Sequence, residues 1–316
     1  MEQNKYFFYP LNLQLKSKTK SPLQSTAIIV KNSFFLQNEI HAFNILESIL
    51  NYENHFYIFD SFEYTTYNEI TKKDRSNIIT ESNYVLLNYK DKSLYSLYDY
   101  ILSIENNNHK FRIILDSYLY LLEAISITSE NNLVHNNINS NTIVLNDLSI
   151  IKPIIMKFDY SMHITSENIN LLEYVKPYLL EYMPFELHVL SFLFDNQLDS
   201  LSNSNIEDII NNIFASIYIN ILNEQNFSQY KEEAYHFLIK YINKSILFIV
   251  NDIFIYYKTW DNYNLSIYYL DILKNSNANT NLYPYLNILL QNIHPNPNKR
   301  YNIKESITMV QNSLLD

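Results

Sequence analysis

The chain of 316 residues contains no glycine. An average usage of about 7% predicts roughly 22 glycines in a chain of this length. Glycine adopts positive φ without a steric penalty, so turns that need this conformation must here use Asn, Asp or Ser. The absence also excludes the glycine-rich loops that hold phosphate groups on backbone N–H groups, and the G-x-S-x-G turn of serine hydrolases.

Cysteine is absent as well, which excludes disulfides, thiolate nucleophiles and cysteine metal sites. None of the eight histidines belongs to an H-E-x-x-H pair, so the common zinc-protease signature is missing. Basic residues are few, because 23 Lys and Arg face 33 Asp and Glu, for a net charge of -10. Since no basic cluster offsets this charge, we expect no nucleic-acid partner.

Long apolar runs are also missing. No run reaches the roughly 18 uninterrupted apolar residues that cross a bilayer. The nearest, residues 245–257, is broken by Asn251 and Asp252. The start of the chain, MEQNKYFFYP, lacks the basic and apolar pattern of a signal sequence. These absences predict a protein that stays inside the cell, in the cytoplasm, without membrane contact.

The hydrophobic content of 47% is sufficient for a large core. Apolar β-branched and aromatic runs predict strands, whereas apolar residues three or four positions apart predict helices. In the first part this gives a small sheet with one helix: strands over 27–30, 56–62 and 84–89, and a helix over 35–50. Residues 1–25 are polar and are expected to be extended or loosely ordered, and residues 72–75 are expected to form a charged loop.

From Leu94 onward the pattern becomes mainly helical. A short helix is predicted over 95–101 and a longer one over 111–127, followed by two strands over 142–145 and 154–158. A long stretch, 205–256, contains several apolar-periodic segments and no proline, which indicates several helices. Helices over 263–273 and 283–292 and one from residue 303 close the chain.

The most informative segment is LVHNNINSNTIVL, residues 133–145. It resembles the catalytic loop of protein kinases, H-R-D-L-K-x-x-N, in which the Asp accepts the substrate proton and the Asn holds magnesium. Aligned on His135, Asn137 stands at the Asp position, Asn139 at the Lys and Thr142 at the Asn. A carboxamide cannot accept a proton at neutral pH, so the resemblance implies a loop of kinase shape without its base.

Two further segments resemble the nucleotide-binding landmarks of that family. AIIVK, ending at Lys31, resembles the strand whose lysine contacts ATP phosphates, and Glu39 resembles its partner on the following helix. KFDYS resembles the D-F-G segment, which implies that Asp159 is a magnesium ligand. The alternatives are a surface lysine, a glutamate at a helix start and an aspartate in a turn.

Other segments resemble the landmarks that support a kinase C-lobe. YMPFEL resembles the A-P-E segment and PNKR the late D-P-x-x-R segment, which implies a buried ion pair between Glu186 and Arg300. WDNYNLSIYYLDIL resembles the start of the αF helix, where Asp261 would hold the backbone of the catalytic loop; a simple helix N-cap is the alternative. His135 is expected to be a packed structural residue.

Together the motifs imply an α+β, protein-kinase-like bilobal fold with a small β-rich N-lobe and a large helical C-lobe. The expected boundaries are residues 1–89 for a reduced N-lobe and 90–316 for the C-lobe, with residues 187–258 as inserted helices. The long insertion and the W-D-N-Y and N-I-H-P-N-P segments resemble divergent kinase-like proteins of large DNA viruses. That resemblance implies the cytoplasm of a host cell.

Three functions follow from the altered loop. The first is a pseudokinase that binds a protein partner and has weak affinity for ATP and magnesium through Lys31 and Asp159. The second is an ATP-dependent Ser/Thr protein kinase, either divergent or an altered version of an active parent. The third is a designed glycine-free scaffold that keeps only the fold, which a natural parent sequence without glycine would exclude.

Overall fold

The computed structural model describes residues 25–66, 83–90, 93–165, 183–276 and 283–313. Strands dominate its first part and helices the remainder, so the fold is the bilobal α+β arrangement that the motif order predicts. Among its described residues the first part contains one α-helix and four of the strands: β1 (Ser25–Lys31), α1 (Phe34–Leu46), β2 (Phe56–Tyr57), β3 (Ser61–Thr66) and β4 (Asn83–Lys90).

The N-terminal sheet has the order β1-β4-β3, with both pairings antiparallel. Helix α1 starts after Ser33, whose Oγ accepts a hydrogen bond from the N–H of Leu36 at 3.3 Å. It ends at Leu46, four positions before the predicted end at Leu50, whose side chain is 89% exposed. Asn51 has φ of 60°, which is incompatible with a continuing right-handed helix.

The single strand predicted over 56–62 is wrong, because the chain forms two strands there. Phe56, Ile58 and Phe59 are all buried, so the segment lacks the alternation of a half-buried strand. The strand β2 pairs with a strand of the second part, whereas β3 pairs with β4. The two parts of the molecule are therefore joined by a shared sheet.

The second part begins with β5 (Tyr95–Ser96), α2 (Leu97–Ser103) and α3 (Asn107–Glu130). Helix α3 starts four positions before the predicted residue 111, because the Asn106 side chain caps it by accepting from the N–H of His109 at 2.9 Å. Four short strands follow: β6 (Leu133–Val134), β7 (Ile143–Leu145), β8 (Pro153–Met156) and β9 (Met162–His163). Strands β7 and β8 join β2 and β5 in a sheet of order β2-β8-β7-β5, and β6 pairs with β9.

The helical stretch 205–256 consists of three separate helices, preceded by another at residue 185. Each of the three begins at a polar cap, Ser202, Asn223 or Ser245, whose side chain accepts from a backbone N–H three positions on. These helices are α4 (Phe185–Asp195), α5 (Asn203–Ser216), α6 (Glu224–Leu238) and α7 (Ile246–Phe254).

Helix α8 (Trp260–Asn275) lies in the middle of the helical part and is buried on most of its surface. It starts three positions before the predicted residue 263. Asn262 on this helix donates to Ser306 Oγ at 2.9 Å, and Tyr118 of α3 lies 3.2 Å from Ser266 Oγ. These polar contacts tie α8 to α3 and to the last helix, α10 (Ile303–Ser313), which follows α9 (Tyr283–Asn292) in the chain.

The expectations for residues 1–24, for the charged loop around 72–75 and for Tyr182 fall outside the described residues. Within the described part of the chain, no helix has both the length and the apolar character needed to span a bilayer.

Candidate functional site

Asp261, in the first turn of α8, holds the start of the loop that resembles a kinase catalytic loop. Its two carboxylate oxygens accept hydrogen bonds from the backbone N–H groups of His135 and Asn136, each at 2.8 Å. Asn136 has φ of 59°, in the left-handed region that asparagine tolerates better than most residues. The hydrogen bond to Asp261 stabilises this backbone conformation. Thr259 occupies the N-cap position of α8, so the alternative role of Asp261 as a helix N-cap is wrong.

The imidazole of His135 is buried beneath the loop. Its Nδ1 accepts from the N–H of Asn137 at 3.3 Å, which assigns the proton to Nε2, and Nε2 lies 3.1 Å from the carbonyl oxygen of Met156. Burial lowers the pKa of His135 to about 4, so the ring is neutral at pH 7. Its edge-to-face contact with Phe158, at 4.7 Å, places it as a packed part of the loop.

The three altered positions of the loop bind one another. Asn139 donates from Nδ2 to the Asn137 side-chain oxygen at 2.8 Å and to the Asn137 carbonyl oxygen at 3.0 Å. The Thr142 hydroxyl accepts from the N–H of Asn139 at 2.9 Å. It also faces the carbonyl oxygens of Asn137 and Asn139, at 3.0 and 3.1 Å. The Asn137 side-chain oxygen, the Asn139 amide nitrogen and the Thr142 hydroxyl are thus engaged inside the loop.

This closure has a chemical consequence. The Asn137 carboxamide can accept a hydrogen bond, but it cannot remove a proton from a hydroxyl at neutral pH. The Thr142 hydroxyl, which stands where the kinase magnesium ligand is expected, is occupied by loop contacts. Asn139 provides no cation for a phosphate, because a carboxamide is neutral.

Asp159 lies in a 3-10 turn over Phe158–Tyr160, directly after β8. The strand predicted over 154–158 ends at Met156, because Lys157 has φ of 64° and turns the chain. The Oδ1 atom of Asp159 is buried and has no hydrogen-bond partner among the described residues. Burial raises the pKa of this carboxyl group.

Glu39 of α1 faces this turn. Its half-buried side chain accepts from the N–H of Phe158, and burial followed by the Asp159 carboxylate raises the pKa of Glu39 to about 7. The cation that acts on it is Lys157. Lys31 is exposed at the end of β1, and no ion pair between Lys31 and Glu39 exists in the described structure. The predicted contact between Lys31 and Glu39 is therefore wrong.

Glu186 and Arg300 form the ion pair that the motif resemblance implies. Arg300 Nη1 lies 2.9 Å from Glu186 Oε1 and Nη2 lies 2.6 Å from Oε2, and both side chains are completely buried. The guanidinium also donates from Nε to the carbonyl oxygen of His294 at 2.8 Å. Trp260 donates from Nε1 to Glu186 Oε1 at 2.9 Å, so the pair is bound directly to the start of α8.

Sequence reasoning missed several contacts around these residues. Asn38 donates from Nδ2 to the carbonyl oxygen of Asp159 at 3.2 Å. Phe56 packs edge-on against Phe158, with ring centroids 5.7 Å apart. The Trp260 side chain could have been noticed, because it is the only tryptophan and adjoins Asp261. The roles of Asn38 and Phe158 depend on which helix meets the turn, and no local pattern specifies that.

The residues present fit magnesium and ATP only in part. The unpartnered Asp159 oxygen suits one cation ligand, and Mg²⁺ is commonly held by one or two carboxylates together with substrate phosphates. The second kinase ligand is replaced by the engaged Thr142 hydroxyl, and Lys31 is not positioned by Glu39. Nor does any group of three His, Cys, Asp or Glu capable of holding a metal occur within the described ranges.

Comparisons with known proteins give matches at the level of structure. Neither a protein-family model nor a curated protein matches the sequence. Two mutant forms of the kinase domain of PknI from Mycobacterium tuberculosis align over 93% of this chain and 86% of theirs. Their identities are 8% and 9%, and their TM-scores 0.47 and 0.46. The autoinhibited serine kinase domain of the giant muscle protein titin aligns over 90% of this chain and 70% of its own, with 12% identity and a TM-score of 0.44.

Proposed function

We propose that this chain is a kinase-fold protein without efficient phosphoryl transfer, which acts by binding a protein partner. The observation that carries the proposal is the 2.8 Å hydrogen bond from Asn139 to the side-chain oxygen of Asn137, in a loop closed by Thr142. A positioned general base contributes roughly 10² to 10⁴ in rate, and this loop has none at the expected position. The lost positioning of Lys31 adds to the deficit.

Weak nucleotide binding is part of the proposal, and efficient use of a nucleotide is not. When bound, ATP with magnesium would supply the phosphoryl group that kinases transfer. Asp159 would hold the cation through its buried carboxylate oxygen, and Lys31 would contribute positive charge from the end of β1. Burial and the neighbouring Asp159 carboxylate raise the pKa of Glu39 to about 7, and in the described structure Glu39 forms no ion pair with Lys31.

A role in protein binding is supported by what the chain retains. Two contacts that stabilise the helical part are present: the Glu186–Arg300 ion pair and the hydrogen bonds of the Asp261 carboxylate to the loop backbone. In the described part of the chain, α7 and the residue after it also expose large apolar side chains: Leu247 at 53%, Phe248 at 47% and Ile255 at 70%. Exposed apolar side chains in such proximity are typical of surfaces that contact other proteins.

A second candidate, an active Ser/Thr kinase, is favoured by one observation. The buried and unpartnered Asp159 oxygen is what a metal ligand looks like before it binds. Both candidates use the same residue, so they are separated by whether phosphate is transferred.

Radiolabelled ATP with Mg²⁺ and a generic Ser/Thr substrate provides the test for the full chain. We expect no transfer above background by the wild type. The triple variant Asn137→Asp, Asn139→Lys and Thr142→Asn should show little, since no glycine loop holds the phosphates. Asp159→Asn is the matched control, because it removes the proposed cation ligand. Wild-type transfer that Asp159→Asn abolishes would overturn the proposal in favour of the active kinase.

The binding role has its own test, which is independent of catalysis. The tagged wild type and Asp159→Asn are purified from the cells that naturally contain the protein. We expect one partner to co-purify in a fixed ratio with both forms. A chain that emerges alone, or a partner lost with Asp159→Asn, would contradict a binding role that needs no catalysis.

A further inference from the structure

Two histidines from distant parts of the chain meet beside the candidate site. His41 lies on α1 and His163 on β9, 122 positions further along. The Nε2 atom of His41 is 3.0 Å from the Nδ1 atom of His163, and the ring centroids are 5.1 Å apart. His41 is exposed and His163 is half-buried, so the two nitrogens converge where solvent can deliver a ligand.

The separation of these nitrogens suits shared coordination of one metal ion. In a tetrahedral zinc site with Zn–N bonds of roughly 2.0–2.1 Å, two imidazole nitrogens stand about 3.3 Å apart. The observed distance differs from that value by only a few tenths of an ångström, so a metal ion could replace the shared proton after small ring movements.

The chemistry of the pair selects the kind of ion. Neutral imidazole is a preferred ligand of zinc, copper and nickel, whereas magnesium and calcium prefer oxygen. Metal binding requires the deprotonated ring nitrogen. Burial, followed by the proximity of His41, lowers the pKa of His163, which favours the neutral ligand form.

We propose that His41 and His163 form a binding site for a divalent transition-metal ion of the zinc class. Within the described residues no third His, Cys, Asp or Glu joins them to form a larger ligand group. Two imidazole ligands give a lower affinity than the four ligands of a closed structural zinc site. The site is independent of the proposed function, because it uses no residue of the catalytic-like loop.

The bound ion would fix α1 relative to β9. On α1, Asn38 and Glu39 contact the turn that contains Asp159, and β9 follows that turn after Ser161. A metal bridge across the two elements therefore adds a third link to this junction. Because the ion binds the folded chain, it raises the free energy of unfolding with the logarithm of its concentration once that concentration exceeds the Kd.

Titration calorimetry with ZnCl₂ on the full chain tests the site, with His41→Ala, His163→Ala and His109→Ala as variants. His109 is exposed on α3 and lies outside the pair, so His109→Ala should bind zinc like the wild type. Removing a residue that hydrogen-bonds to a metal ligand already weakens metal affinity roughly 10-fold to 100-fold. Loss of a ligand itself in His41→Ala or His163→Ala should therefore weaken zinc affinity at least about tenfold.

A spectroscopic readout makes the assignment specific to the two rings. In electron paramagnetic resonance, Cu²⁺ bound by the wild type should show hyperfine splitting from two nitrogen ligands. Cu²⁺ bound by His41→Ala or His163→Ala should show splitting from one. Circular dichroism confirms that His41→Ala folds, which is expected because this side chain is exposed. Equal zinc affinity in the wild type, His41→Ala and His163→Ala, or a copper signal without two nitrogens, would overturn the proposal.

Discussion

Glu186 and Arg300 lie 114 positions apart in sequence and meet in a completely buried, two-pronged ion pair. The contact joins the first turn of α4 to the segment before α10. Removing one partner of a buried pair leaves an uncompensated charge, which costs about 3–5 kcal/mol. We therefore expect Glu186→Gln to lower the free energy of unfolding by that amount in urea denaturation.

An exposed ion pair in the same protein serves as the control. Lys304 and Glu130 lie 3.8 Å apart with most of their side-chain surface in water. Solvent screens such pairs, so Lys304→Met should leave the denaturation midpoint unchanged. If Glu186→Gln were as mild as Lys304→Met, the ion pair would not be an architectural contact.

The buried imidazole of His135 predicts a pH dependence of stability. Its pKa falls from 6.5 to about 4 on folding, so the unfolded chain binds a proton in this range that the folded chain excludes. The stabilising contribution is present above pH 6.5 and is lost as the pH falls to about 4. We expect the stability difference between the wild type and His135→Gln to be about 3 kcal/mol larger at pH 7 than at pH 4.

Comparing variants isolates this effect from other titrating groups. Burial raises the pKa of Asp261 from 3.8 to about 6, so Asp261 stabilises the folded chain as the pH falls through 6 and opposes His135. His109→Gln, at an exposed position, is the control for a histidine substitution that removes no buried ring. Parallel profiles for the wild type and His135→Gln would show that His135 accepts a proton in the folded state.

Much of the fold follows from the sequence because its motifs are ordered along the chain. The segments that contain Lys31, Asp159 and Arg300 each lie in or beside the element that their pattern indicates. The pairing of Lys31 with Glu39 did not follow, because it depends on the path of α1 relative to β1. The contact of Glu39 with the Phe158 backbone is a tertiary property that neither segment records.

The residues with positive φ show where local preference predicts the backbone and where it does not. In the described residues, positive φ occurs at four asparagines, as their tolerance of this conformation predicts: Asn51, Asn132, Asn136 and Asn243. It also occurs at Lys157 and Gln197, which no propensity would select. There the surrounding contacts impose the conformation, and the intrinsic preference is overridden.

Gln197 lies in the turn that ends α4, and it predicts a stabilising substitution. The N–H of Leu198 donates to the carbonyl oxygen of Leu193 at 2.9 Å, and the N–H of Gln197 donates to the carbonyl oxygen of Phe194 at 3.3 Å. This pair of hydrogen bonds is a Schellman motif, which favours glycine at position 197. Relief of the positive-φ strain should let Gln197→Gly raise the free energy of unfolding by about 1 kcal/mol.

The neighbouring position provides a matched control. Asn196 has φ of -96°, where glycine gives no relief, and its side chain donates to the carbonyl oxygen of Phe192 at 2.8 Å. Asn196→Gly should therefore destabilise the chain in the same denaturation assay. A Gln197→Gly variant that is less stable than the wild type would contradict the strain assigned to position 197.

The loop closure itself is tested at Thr142, whose buried hydroxyl joins Asn137 to Asn139. Thr142→Val keeps the volume but leaves the Asn139 N–H and two carbonyl oxygens without this partner, which should cost about 1–3 kcal/mol in urea denaturation. Thr142→Ser keeps the hydroxyl and should cost less. Amide exchange at Asn139 should also accelerate in Thr142→Val and not in Thr142→Ser. Equal stability and equal exchange in both variants would mean that the hydroxyl does not hold the loop closed, and position 142 would then be available to a metal ion.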